Sequence, residues 1–179
     1  MKASSLMRAG VLALVAASLG CQEGRPPVPT AASLFVPIVD GVWSGPMTRV
    51  AASGLGCTTQ ELEDFLPVND LGTLSVLQTG TDLLATMTTE STGLACRYSG
   101  SASVTGMALN ASSCDRTGLL VACAGRTVRL ELVGSSVDGS WNSGAITGVA
   151  SSTYNGIDEA SGQGIGSLVV NHAFTATRR

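Results

Sequence analysis

From Leu34 onward, Val, Leu and Ile recur at alternate positions in short runs, each bounded by Gly, Asn, Asp or Ser. This spacing restricts the fold more than any other feature. Side chains two positions apart share a face in an extended strand, whereas a helix brings together residues three or four apart. Strands are predicted at 40 to 50, 72 to 79, 82 to 90, 95 to 102, 106 to 114, 125 to 133, 136 to 142, 145 to 155 and 164 to 177. One short helix is expected at 58 to 66, where Thr58 can cap and Glu61 can answer it three residues later. Connections such as Gln78-Thr-Gly-Thr-Asp82 and Gly134-Ser-Ser136 read as hairpin turns, so neighbouring strands are antiparallel. The expected fold is all-β: an antiparallel up-and-down meander closing into a barrel of 8 to 10 strands, with a two-sheet sandwich as the alternative. Nine strands are awkward for simple closure, which favours an even number. Either one run is wrongly assigned, or Gly118-Leu-Leu-Val-Ala122 adds a tenth.

The N-terminus carries an address. Lys2 and Arg8 precede an apolar run, Ala9 to Ala17, which is too short to span a bilayer and has the length of a signal-peptide core. The run ends in Ser18-Leu19-Gly20-Cys21, which resembles the lipobox of bacterial lipoproteins. The resemblance implies lipid on Cys21 and cleavage before it, although Ser18 stands where Leu is usual and Leu19 follows one place later. An ordinary signal peptide cut nearby would instead leave Cys21 as an odd thiol. Gln22, not Asp, follows the cysteine, which in enterobacteria-like sorting implies the outer membrane, with the domain in the periplasm or at the cell surface. Residues 22 to 33 contain three prolines and no apolar periodicity, and read as a stiff spacer holding the domain off the bilayer. The expected organisation is a signal peptide (1–20), a lipidated cysteine with its tether (21–33) and one β domain (34–179).

Removing Lys2 and Arg8 leaves eight arginines against 13 acidic residues. A nucleic-acid partner would require a basic face that this composition does not supply. With Cys21 assigned to lipid, Cys57, Cys96, Cys114 and Cys123 are an even set in an exported chain, and two disulfides are expected. Without a strand between 115 and 122, all four fall at one rim of the meander. Centring the 95 to 114 hairpin near Val104 sets Cys96 opposite Cys114 and leaves Cys57 for Cys123. Pairing Cys114 with Cys123 across the short loop is the main competitor, and spacing alone leaves the connectivity open.

Asp40-Gly41-Val42-Trp43-Ser44-Gly45 resembles the Gly-x-Trp opening of lipocalins and related calycins. In that family the tryptophan closes one end of the barrel and an arginine near the end of the last strand lies over it. Arg178 stands at the corresponding place. It shares strand parity with Leu168, Val170, His172, Phe174 and Ala176, the expected inward face of the final strand. Trp43 and Met47, Leu74 and Val76, Val137 and Trp141 supply other inward positions, mixed with many small residues that either interdigitate into a solid plug or leave a cavity. Trp43, Met47, Trp141, His172 and Phe174 are therefore the candidate ligand-lining residues, against the plainer reading of Trp43 and Trp141 as core.

His172 is the sole histidine. Its apolar strand neighbours favour a neutral imidazole, and no Gly-x-Ser-x-Gly elbow accompanies it. No catalytic residue, metal site or cofactor is expected. Three functions stay open: a membrane-tethered barrel binding a small apolar or amphipathic ligand, a solid barrel acting as an envelope protein-interaction module, and a hydrolase using His172.

Overall fold

The computed structural model describes residues 35–115, 118–142 and 144–179, so the lipobox-like segment and the proline-rich spacer lie outside the described residues. Among the described residues the strands are β1 (Gly41–Gly54), β2 (Asn69–Thr79), β3 (Asp82–Thr89), β4 (Ala95–Ala102), β5 (Gly106–Cys114), β6 (Gly118–Cys123), β7 (Arg126–Asn142), β8 (Ala145–Asp158) and β9 (Gly164–Arg178), with one short helix, α1 (Thr59–Glu63). Every pairing is antiparallel. β1 to β5 pair in sequence order, β5 pairs β7, and β7, β8 and β9 return to β1, closing a ring of eight strands. The expected barrel is the observed one, and the open sandwich is not.

β6 resolves the parity problem. Asn110 pairs with Ser136 and Gly118 with Glu131, both on β7. β5 and β6 thus ascend along the same neighbour, with the upper part of β5 drawn aside onto β4. The two runs at 125 to 133 and 136 to 142 are not separate strands. They are one strand, β7, interrupted by a register shift between Leu132 and Gly134. A bulge adds one residue and exchanges the faces of everything beyond it. Inward parity therefore passes from Val128 and Leu130 to Val137, and this switch, together with Gly-Ser-Ser, imitates a turn.

The strands are unequal in length. β2 to β5 span 8 to 11 residues, whereas β1, β7, β8 and β9 span 14 to 17. β1 pairs β2 only as far as Thr48 and continues against β9 alone. One wall of the barrel therefore rises above the mouth formed by the shorter strands. Burial follows this division in two clusters. The first fills the closed barrel and includes Trp43, Leu74, Leu83, Leu109, Val137, Ile146 and Phe174. The second lines the overhang with Val128, Leu130, Leu168 and Val170, and is covered by Leu62 of α1 and Leu66 just beyond it.

α1 begins as its sequence predicts. Thr58 Oγ1 accepts from the Glu61 N–H at 3.2 Å, and the Glu61 carboxylate accepts from the Thr58 N–H at 2.7 Å. Cys57 bonds to Cys123 and Cys96 to Cys114. Cys96 and Cys114 are register partners on β4 and β5 at the low rim. Cys57, in the loop just beyond β1, and Cys123, at the end of β6, lie higher, beside the overhang. The strand at 118 to 123 thus corrects the single level expected for all four cysteines. A two-residue turn at Ala124 and Gly125, both with positive φ, carries β6 into β7.

Candidate functional site

The end of the barrel opposite the overhang is closed. Trp43 is buried there and donates its indole N–H to the Val39 carbonyl at 2.8 Å. Arg178 lies over its ring, 5.8 Å from the centroid, and also donates to the Asp40 carbonyl. The two glycines flanking Trp43 have separate causes. Gly41 has φ +129°, a backbone conformation that side-chain-bearing residues rarely adopt, and lies against the Arg178 guanidinium. At Gly45 a Cβ would fall 1.9 Å from the Thr175 carbonyl oxygen of β9. The Gly-x-Trp-x-Gly run therefore secures the β1–β9 closure and plugs the barrel.

Above this plug the interior is nearly full. A void of about 10 Å³ is bordered by Met47, Leu74, Met87, Val137, Phe174 and Ala176. That is about the space of one water molecule. The barrel core does not enclose the large apolar cavity that its many small residues allow.

The open space lies at the mouth, beneath the overhang. Met47, Met87, Leu66 and Ala150 form the apolar side of a cleft of about 50 Å³, and Tyr98, Tyr154, Ser135, Ser152, His172 and Asp70 form the polar side. Both tyrosines of the chain and its sole histidine meet here. The Tyr98 hydroxyl is 2.9 Å from Ser135 Oγ, which is 3.2 Å from Ser152 Oγ, so a row of hydroxyls crosses from β4 to β7 and β8. Ser135 stands just past the β7 bulge, so the bulge helps to set this row.

Burial raises the Tyr98 pKa, partly countered by the bond to Ser135. Burial likewise raises that of Tyr154, countered by Ser152 and reinforced by Tyr98. The His172 pKa is lowered by burial, raised by the nearby Asp70 and lowered again by Arg49. At neutral pH these three side chains are uncharged hydrogen-bonding groups. Asp70 is itself held in place: Oδ1 accepts from the Leu71 and Ser91 N–H groups at 2.7 and 3.0 Å, and Oδ2 from the Ser91 hydroxyl at 2.5 Å.

The roof of the cleft is the segment from Cys57 to Val68, pinned from several directions. Arg49 is the register partner of His172 across β1 and β9, and its side chain is only 7% exposed. It donates to the Leu66 carbonyl and lies 3.7 Å from Glu63, while its backbone N–H reaches the Val68 carbonyl at 2.7 Å. The Cys57–Cys123 bridge fixes the other end of the segment.

The candidate residues separate in space. His172 and Met47 line the mouth cleft, and Met47 also borders the small void with Phe174. Trp43 belongs to the closed end. Trp141 lies at that same end, where its indole N–H donates to the Ser103 carbonyl at 3.1 Å. Tyr98, Tyr154, Ser135 and Ser152 were not singled out from the sequence. The parity of Tyr98 with Cys96 and of Tyr154 with Ile146 was visible, but their meeting depends on the β7 bulge. No known protein family, curated protein or solved structure matches the chain.

Proposed function

We propose that the chain is an exported, lipid-anchored and non-catalytic binding module, whose mouth cleft receives the polar tip of a small amphipathic molecule. One observation carries the reading: the only histidine and both tyrosines converge, uncharged, on one partly enclosed cleft with an apolar side of methionine and leucine. The cleft volume suits a group of a few heavy atoms, about three or four waters' worth. It is far smaller than the roughly 300–1,000 Å³ of sites that enclose a drug-sized ligand. The bound molecule therefore enters by one end only, and the remainder lies outside the barrel. His172, desolvated and neutral, is suited to hydrogen bonding with that tip. Cys21 supplies the membrane attachment, and the outer membrane is the proposed location.

The packed interior favours a second reading, a solid barrel that meets an envelope protein. Native mass spectrometry of the exported, oxidised chain separates the two. Small-molecule binding gives an added mass that denaturation releases and that Tyr98→Phe with His172→Leu strongly reduces. A bare mass under native conditions sinks the small-ligand reading and leaves the protein partner. The intact mass of the N-terminal peptide tests the anchor: acyl chains on Cys21 are expected, and an unmodified thiol overturns that part.

A further inference from the structure

We propose that the closed end of the barrel rests in the interface of the bilayer that holds the chain, leaving the mouth cleft facing away from that membrane. The inference rests on the anchored reading above and concerns which face of the domain meets lipid.

Exposed apolar side chains stand toward both ends, Val50, Leu71, Leu120 and Val133 toward the open one, but at the closed end several fall on adjoining segments. Phe35 and Ile38 are 68% and 67% exposed on the segment leading into β1. Leu77 and Leu84 are direct register partners on the outer face of β2 and β3, at 67% and 61% exposed, close to the turn that joins these strands. The segment carrying Ile38 runs beside them, since the Val39 N–H donates to the Gln78 side chain and the Gln78 N–H to Asp40. Val104, in the β4–β5 turn at the same end, is also exposed. Large exposed apolar patches mark surfaces that meet a partner.

Charge and chain length identify that partner as lipid. Arg178 and Arg179 lie at the closed end, as do Asp40 ahead of β1 and Asp82 at the start of β3, so these four charges balance. The open end carries Glu61, Glu63, Glu90, Asp158 and Glu159 against Arg49, Arg126 and Arg129, and anionic headgroups repel the acidic excess. Apolar residues flanked by arginine are the usual composition of an interfacial contact. The 14 steps from Cys21 to Phe35 reach at most about 50 Å. The tall wall, set by the 17 residues of β7, rises roughly 45 Å along the axis at a typical strand tilt. The mouth reaches the lipid only if the tether is drawn out along the whole barrel, whereas the closed end reaches it with the tether slack.

The test uses the full acylated chain in phosphatidylethanolamine–phosphatidylglycerol vesicles with and without brominated acyl chains. A Phe35→Trp reporter is expected to lose about half of its added fluorescence to the bromines, and a Leu120→Trp reporter on β6 almost none. Leu77→Thr with Leu84→Thr, both on the outer surface, should reduce the Phe35→Trp quenching. Equal quenching of the two reporters, or none at Phe35→Trp in chain that is acylated and retained on the vesicles, overturns the orientation while leaving the anchor intact. If Cys21 carries no lipid, the anchor fails by its mass. Vesicle binding that Leu77→Thr with Leu84→Thr abolishes would still support the closed-end contact. Sedimentation as a dimer that the same pair of substitutions dissociates would assign the patch to a second copy and overturn the proposal.

Discussion

At the residue scale, the titration of His172 leaves a measurable trace. Burial holds its pKa below the ordinary value of 6.5. Above that pH the imidazole is neutral in both folded and unfolded chains, and stability is complete. As pH falls through 6.5 the unfolded chain binds a proton before the folded one does, so stability declines until the folded pKa is passed. Glu61 and Asp158 have lowered pKa values through hydrogen bonds to Thr58 and Ser161, and the stability linked to them is lost only below the ordinary carboxylate range. Urea midpoints should therefore fall between pH 7 and 5 in the native chain and stay nearly flat in His172→Gln. Parallel curves would remove His172 as the cause. A second contrast lies in the glycines. Gly45→Ala drives a methyl group into the Thr175 carbonyl and should cost about 1–3 kcal/mol. Gly134→Ala meets nothing within 4 Å and should be neutral or slightly stabilising in the same urea titration.

At the element scale, the Cys57–Cys123 bridge spans 66 residues and Cys96–Cys114 spans 18. Loop-closure entropy assigns about 4 kcal/mol to the first and about 3 kcal/mol to the second. Replacing both cysteines of the longer bridge by alanine should lower the urea midpoint more. It should also raise amide exchange across 58 to 66, since that segment then loses its tie to β6. Unchanged exchange there would show that Arg49 and the buried Leu62 suffice. Much of this architecture was legible in the sequence, for definite reasons. The strands of the closed barrel announce themselves by strict alternation and α1 by its capping box, while the Trp43–Arg178 closure follows from the resemblance of the Gly-x-Trp run to calycins. β6 was nearly hidden, because its turn is Ala-Gly and not the usual Asn-Gly or Asp-Gly. β7 was divided because a bulge and a turn leave the same mark in one dimension: small polar residues where the alternation changes phase. The cleft was missed for that same reason. In one dimension Ser135 reads as part of a turn, and a turn supplies no inward side chain for Tyr98 to meet.

At the scale of the whole molecule, the two buried clusters share β1, β7, β8 and β9, so neither can melt alone without breaking strands that belong to both. Both tryptophans are associated with the first cluster. Leu130→Ala, in the second, should cost about 2–4 kcal/mol and lower the unfolding midpoint seen by tryptophan fluorescence. A fluorescence midpoint that does not move would divide the molecule into independently melting halves.

The pairing of β1 with β9 also governs when the ring can exist. Arg178 and Asp40, which meet at the closure, are 138 residues apart. A chain crossing a membrane with its N-terminus first delivers β1 early, and that strand must then wait with one hydrogen-bonding edge unpaired until β9 emerges. For that interval the sheet is a template for any neighbouring strand, including one from another copy. Under the proposed export, this interval exposes the chain to strand exchange during its passage, and holding factors would guard the edge until the ring can close.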